Sequence, residues 1–197
     1  MAINLKELIA QSFLELCKEK PLKSITIQDL IKKTGMSRQS FYNHFLDKND
    51  LIQFIYLHKI IQEFSIDHVS DLCDFQQSLL DSLYRMKDYA FFLKPALLLE
   101  EQNNLKDFIF THCKEFDLAW HQRWYGSTPM PEELYFATQY HAMASTSMVI
   151  SWILSNMPTS CEDLAQLITT LRSLGMETLF ESGEANPYQT GHFASKV

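Results

Sequence analysis

The segment Ile25 to Leu51, ITIQDLIKKTGMSRQSFYNHFLDKNDL, constrains this chain more than any other, because it spells the start and stop of two short helices. Thr26 with Asp29 three residues on forms a Thr-x-x-Asp variant of the capping box, so helix 2 begins there. Leu30 and Ile31 then face inward. Gly35 supplies the left-handed residue that ends this helix, and Ser37 caps the next after a turn of a few residues. Helix 3, from about Arg38 to Phe45, is anchored by Phe41 and Phe45, which sit four apart on one side.

That anchoring leaves Arg38, Gln39, Ser40, Tyr42, Asn43 and His44 largely outward. An arginine can fork onto guanine and a glutamine or asparagine onto adenine in the major groove, while Tyr42, His44 and Lys48 suit phosphate oxygens. Ser37 at the cap, and Thr26, Ile27 and Gln28 at the start of helix 2, complete the expected DNA-contact set. A solvated amphipathic helix pair would also explain the polarity. It would not explain why cap, glycine, paired Phe anchors and a hydrogen-bonding face coincide.

At these residues the chain resembles the TetR family of transcriptional regulators, whose signature is a Thr-led helix 2, a Gly turn and a helix 3 ending in Tyr-x-x-Phe. Thr26, Gly35, Ser37, Phe41, Tyr42, His44, Phe45, Lys48 and Leu51 fall on that pattern. The resemblance covers about the first sixty residues. Ile31 and Lys32 depart from it, standing where the family usually has two small residues, and Asn43 precedes His44 where variation is common. The resemblance implies an all-α homodimer that reads a palindromic operator and responds to a small-molecule effector of unknown identity. Repression is the sign expected first, with activation or recruitment of a second protein as the alternatives.

The net charge of −7 would by itself argue against a nucleic-acid partner. Its distribution does not. Residues 1 to 60 hold nine Lys or Arg against six Asp or Glu, net +3, and the rest holds eight against eighteen, net −10. A mildly basic head on an acidic body presents one end to the phosphates, although a solvated acidic surface explains the body equally well.

The chain's 197 residues and 46% hydrophobic content suffice for a small head and one larger core. No run approaches the roughly 18 apolar residues of a membrane span. MAINLKELIAQSF has polar and acidic residues within its periodic pattern and reads as helix 1, not as a secretory leader. Helix 1 should run from a cap at Asn4 to about Glu19, with Leu5, Leu8, Ile9, Phe13 and Leu16 inward. Cys17, Cys73, Cys113 and Cys161 form no Cys-x-x-Cys pair, which fits a reducing cytoplasm better than a disulfide framework or zinc site.

Beyond the head the chain reads as helix, with Pro21, Gly126, Pro129, Pro131 and Pro158 at the joints. Helix 4 follows Asp47 and is expected to reach about Phe64, with Leu51, Phe54, Ile55, His58 and Ile61 on its inner stripe. Five more helices are expected near Asp71 to Met86, Tyr89 to Glu100, Leu105 to Trp124, Pro131 to Ser155 and Cys161 to Phe180, with Pro95 starting or kinking the second. The expected domains are a helix-turn-helix head over 1–46, a helical effector-binding and dimerisation body over 47–181 and a tail over 182–197.

The last two helices are the expected dimer elements. Ser160 caps helix 9 with Asp163 at its third position, and Leu164, Leu167, Ile168, Leu171 and Leu174 follow on one stripe. Helix 8 mixes small residues with Met148 and Trp152. In the resembling family this pair forms a four-helix bundle with its two-fold mate, which points to Met148, Trp152, Leu164, Leu167 and Leu171 as interface residues. Composition alone would allow the stripe to be ordinary monomer core. The stretch Ile150 to Leu171 is similar to the C-terminal module of a DhaS-like subset of the family, through a Trp-Ile pair, a Pro-containing turn and a capped Leu-rich helix.

The middle of the body is aromatic, and the best candidates for an apolar effector pocket are His112, Phe116 and Trp120, one turn apart on helix 7, with Tyr140 on helix 8. Core packing is the competing reading for each. No nucleophile elbow, phosphate loop or dinucleotide fingerprint is present, so no catalytic residue and no cofactor are expected. His112 and Glu115 lie one turn apart but lack close-spaced third and fourth ligands, so no metal is expected either.

Overall fold

A computed structural model of the chain describes residues 4–62 and 64–176. The described residues form helices α1 (Leu5–Glu19), α2 (Ile27–Thr34), α3 (Arg38–Tyr42), α4 (Lys48–Ile55), α5 (Leu72–Asp88), α6 (Ala90–Leu97), α7 (Leu105–Tyr125), α8 (Glu132–Leu154) and α9 (Cys161–Met176). No strand occurs among them. The fold is all-α, with a helix-turn-helix head followed by a helical body. The expected tail over 182–197, and the end of the last helix beyond Met176, lie outside the described residues.

The head closes around Ile9, Phe13, Leu22, Ile25, Leu30, Phe41 and Phe45, all buried. Each helix contributes its apolar side to this one small core. Burial of that face, rather than propensity, stabilises helices as short as α2 and α3. Ion pairs lace the outside: Lys33 reaches Glu19 at 2.8 Å and Glu15 at 3.2 Å, and Lys59 reaches Glu7 at 2.6 Å. Leu8 is the exception to the expected inner stripe of α1. It is exposed, while Ala10, Ser12 and Leu14 are buried, so the buried face is wider than and rotated from the simple pattern. Ile31 is only half-buried.

Helix α4 departs from its expected form. It is α-helical to Ile55 and continues as a π-helical segment, Tyr56–Ile60, closed by an i to i+5 bond from the Ile61 amide to the Tyr56 carbonyl at 3.2 Å. The wider turn breaks the 3.6-residue register. Tyr56 and Ile60 consequently point inward, and His58, expected on the inner stripe, is exposed. Pro95 lies inside α6 rather than at its start.

In the body, α7 packs along α8 and α5 along α9, with α4 bridging from the head onto α7. The turn between α8 and α9 is held by Trp152, whose indole Nε1 donates to the Thr159 carbonyl at 2.9 Å. Ser160 accepts from the Asp163 amide at 3.0 Å, the expected cap of α9.

Candidate DNA-reading surface and effector cavity

The capping box of α2 closes in both directions. The Asp29 amide donates to Thr26 Oγ1 at 3.2 Å, and the Thr26 amide donates to Asp29 Oδ2 at 2.8 Å. Lys20 lies 2.7 Å from the same carboxylate and, together with the Thr26 bonds, holds it well below the usual aspartate range. Gly35 ends α2 in the left-handed region at φ 72°, a conformation that strains any residue with a Cβ. Ser37 Oγ accepts from the Ser40 amide at 3.0 Å and starts α3.

Helix α3 is shorter than expected. After Tyr42 the chain tightens, with the His44 amide bonding back to the Phe41 carbonyl at 2.9 Å. Arg38, Gln39, Tyr42 and Asn43 are exposed together, whereas Ser40 and His44 are half-buried. The exposed four are paired along the helix. Arg38 lies over the Tyr42 ring, 5.6 Å from its centroid, and Gln39 Nε2 donates to Asn43 Oδ1 at 3.0 Å. Such i, i+4 pairs restrict rotamers while leaving further donors and acceptors free to meet a base edge. Thr26 and Gln28 are exposed at the start of α2 with Ile27 half-buried between them, and Lys48, the first residue of α4, is half-buried. Leu46, in the turn between α3 and α4, is the most exposed large apolar residue described; no periodicity marked it.

The body holds a partly open cavity of about 80 Å³. Tyr56, Phe64, Phe75, Phe116 and Ile150 belong to its apolar wall, and His112 also lines it. Of the four expected ligand residues, the structure brings His112 and Phe116 to this cavity and leaves two away from it. Trp120 is fully buried behind the wall, stacked on Phe75 at 5.6 Å, so it supports the lining without forming it. Tyr140 lies on the outer side of α8 and is 63% exposed. His112 stacks on Phe108 at 5.7 Å, and burial pushes its pKa down against the opposing pull of Glu115.

Sequence reading missed the polar groups of this cavity. Asp117 and Arg172 are both buried and form an ion pair at 2.7 Å. Burial pushes the Asp117 carboxyl up, opposed by Arg172. The Arg172 guanidinium also lies over Phe75, 4.5 Å from the ring centroid. Their signal was a single opposite charge on the apolar side of each of two helices: Asp117 follows Phe116, and Arg172 stands four after Ile168. Deeper still, Thr138 donates its proton to the Leu134 carbonyl at 2.7 Å, so His121 Nδ1, 2.8 Å from the Thr138 oxygen, is the donor in that contact. Burial pushes the His121 pKa well below its ordinary value.

The expected dimer residues also divide. Leu167, Leu171 and Met148 are 56%, 63% and 59% exposed in the single chain, whereas Trp152 and Leu164 are 5% and 6% exposed. The last two therefore belong to the chain's own core: Trp152 through its bond to the α8–α9 turn, and Leu164 because it faces inward beside Ile168. Phe136, Tyr140, Met143 and Leu174 extend the exposed apolar surface.

A head that presents four paired polar side chains from a three-helix unit, set on a helical body with an internal cavity, defines a helix-turn-helix regulator of the one-chain type. Residues 14–54 match the bacterial regulatory proteins of the tetR family, and residues 73–173 match a transcriptional regulator C-terminal region of that family. The chain belongs to the TetR family of transcriptional regulators. It is 24% identical over 129 residues, covering 60% of this chain and 68% of the relative, to DhaS, the HTH-type transcriptional activator of the dhaKLM operon of Lactococcus lactis subsp. lactis strain IL1403. Among solved structures it resembles a dihydroxyacetone kinase operon activator DhaS, with a TM-score of 0.65, 18% identity and coverage of 90% of this chain and 98% of that one. A second, described as a TetR-family regulator from Syntrophomonas wolfei strain Goettingen, gives a TM-score of 0.57 at 14% identity over 86% of this chain and 94% of that one.

Proposed function

We propose that this chain acts as a homodimer that reads a two-fold symmetric operator through α3 and adjusts its grip when a small molecule enters the body cavity. The observation that carries the reading is the exposure of Arg38, Gln39, Tyr42 and Asn43 on one face of a helix locked by buried Phe41 and Phe45. Ser37, Ser40, His44, Lys48 and the start of α2 at Thr26, Ile27 and Gln28 contribute phosphate contacts around it. The exposed stripes of α8 and α9, through Met148, Leu167 and Leu171, supply the dimer contact. An isolated chain showing that much apolar surface on two adjacent helices fits an interface. DNA as the partner places the protein in the cytoplasm.

Repression follows from simple occlusion of a promoter, while the activator name of DhaS supports activation. Footprinting on genomic fragments retained by the purified protein tests the reading. Two protected patches about 34 to 36 Å apart on one side of the duplex are expected. Transcription in vitro from the retained fragment then gives the sign. A single unsymmetric patch, or no retained fragment, would remove the operator-binding dimer.

A further inference from the structure

The cavity wall includes a buried polar group that the fold leaves without a hydrogen-bond partner among the described residues. Ser82, on α5, is 2% exposed, and its hydroxyl has no hydrogen-bond partner among the described residues. Helical serines commonly bond back to the carbonyl four residues earlier. Ser82 does not. A buried hydroxyl without a partner costs stability, and native interiors seldom keep one without an external group to satisfy it.

Charge narrows what that group is. The one cation and one anion among the described lining residues, Arg172 and Asp117, lie 2.7 Å apart and cancel. His112, desolvated at the side of the cavity, favours its neutral form. Thr146 is engaged with the Cys113 thiol. An ionised guest would bring a charge against an apolar lining with no counter-charge to spare. Size narrows it further. A volume of about 80 Å³ is roughly half that of an engineered cavity known to accept benzene, which leaves room for about three non-hydrogen atoms as it stands and for a slim guest of about four or five once the lining side chains shift slightly.

We infer that the effector bound in this cavity is a small neutral molecule with an apolar body and one hydroxyl or carbonyl group, which pairs with the Ser82 hydroxyl. This rests on the reading of the cavity as the effector site of a DNA-binding regulator. Ser82 donates to a carbonyl guest, and with an alcohol it exchanges either role. Phe75, Phe116 and Tyr56 hold the apolar end. Because Tyr56 and Ile61 bracket the π-helical segment that continues α4, occupancy presses on the element that leads to the head.

Saturation-transfer NMR on the full chain near neutral pH tests this with 1-butanol, butanone, 1-chlorobutane, butyrate and butylammonium as probes. Butanol and butanone should bind. Chlorobutane, which keeps the shape and loses the hydroxyl, should bind about tenfold more weakly, and both ions at least tenfold more weakly. Ser82→Ala should lower butanol affinity to that of chlorobutane. If that variant does not fold, the butanol-to-chlorobutane ratio in the unaltered chain decides the matter. Equal binding of butanol and chlorobutane, binding of butyrate as tight as butanol, or no binding of any probe overturns the inference. Operator binding by the same preparation without probes separates the two levels. Operator bound with no butanol bound defeats this inference alone, and butanol bound with no operator bound defeats the regulator reading alone.

Discussion

Asn49, in the first turn of α4, donates from its side-chain amide to the backbone carbonyl of Gln102 at 2.9 Å. One turn later Gln53 Nε2 donates to the Asn103 carbonyl at 2.8 Å, and Asn103 itself stands in the left-handed region at φ 59°. Two amide side chains of α4 thus hold the loop that leads into α7, whose Ile109, His112 and Phe116 line the cavity. In the proposed effector response, these two bonds are the route by which a shift of α7 would reach the helix that begins directly after the reading head. Asn49→Ala removes the donor to the Gln102 carbonyl, itself on an exposed residue, and should cost about 0.5 to 1.5 kcal/mol in thermal unfolding. Combined with Gln53→Ala it should also shrink the change in operator affinity produced by an effector-containing cell extract. An undiminished response would place the link elsewhere.

The reading face makes a separate claim about bases. Arg38→Ala and Gln39→Ala should each cost about 1 to 3 kcal/mol on the best operator and less on operators altered at the contacted pair. Lys48→Ala should weaken all sequences alike and reduce the log-log salt slope by about one phosphate. Affinities measured across a set of single-base operator variants at several salt concentrations separate these outcomes.

Leu171→Glu should produce a folded monomer, because the side chain is exposed in the single chain yet would be buried without a counter-charge in the dimer. Leu164→Glu should instead unfold the body, since Leu164 belongs to the core. Sedimentation beside circular dichroism distinguishes a dissociated protein from an unfolded one. A dimeric Leu171→Glu protein would move the interface off this stripe.

His121 gives the body an acid limit. Burial keeps it neutral in the folded chain, with a pKa well below the ordinary 6.5, while the unfolded chain takes up a proton near that value. The unfolded state therefore binds more protons below pH 6.5, and stability is lost as pH falls from there. His112 and His141, also pushed down chiefly by burial, act in the same direction. The melting temperature should drop between about pH 7 and pH 5, and His121→Gln should flatten part of that slope. An unchanged slope would assign the acid sensitivity to other groups.

The head was legible in the sequence because its punctuation is local. Thr26, Gly35 and Ser37 act through bonds to residues at most a few positions away, and the structure realises each one. The body was less legible where the deciding partner is distant. Phe116 and Trp120 share a stripe on α7, but partners distant in sequence, Phe64 against Phe116 and Phe75 from α5 against Trp120, accompany one at the cavity and the other behind its wall. Helix α8 is apolar on several sides, so nothing in its spacing shows that Tyr140 faces out and Trp152 in. The π-helical turn at Tyr56–Ile60 has no composition signal, and it reversed the expected place of His58. Asp117 and Arg172 are fifty-five positions apart, and their pairing exists only once α7 and α9 meet.

The central claim, that this chain reads DNA through the face of α3, is tested most directly by sequencing duplexes selected from a random pool by the purified protein and, in parallel, by the Arg38→Ala, Gln39→Ala double variant. The account predicts that the unaltered chain enriches an inverted repeat with half-site centres about one helical turn apart, and that the variant enriches a repeat degenerate at the bases those side chains meet. Enrichment of no sequence by the unaltered chain, or of the same motif at full strength by both proteins, would contradict it.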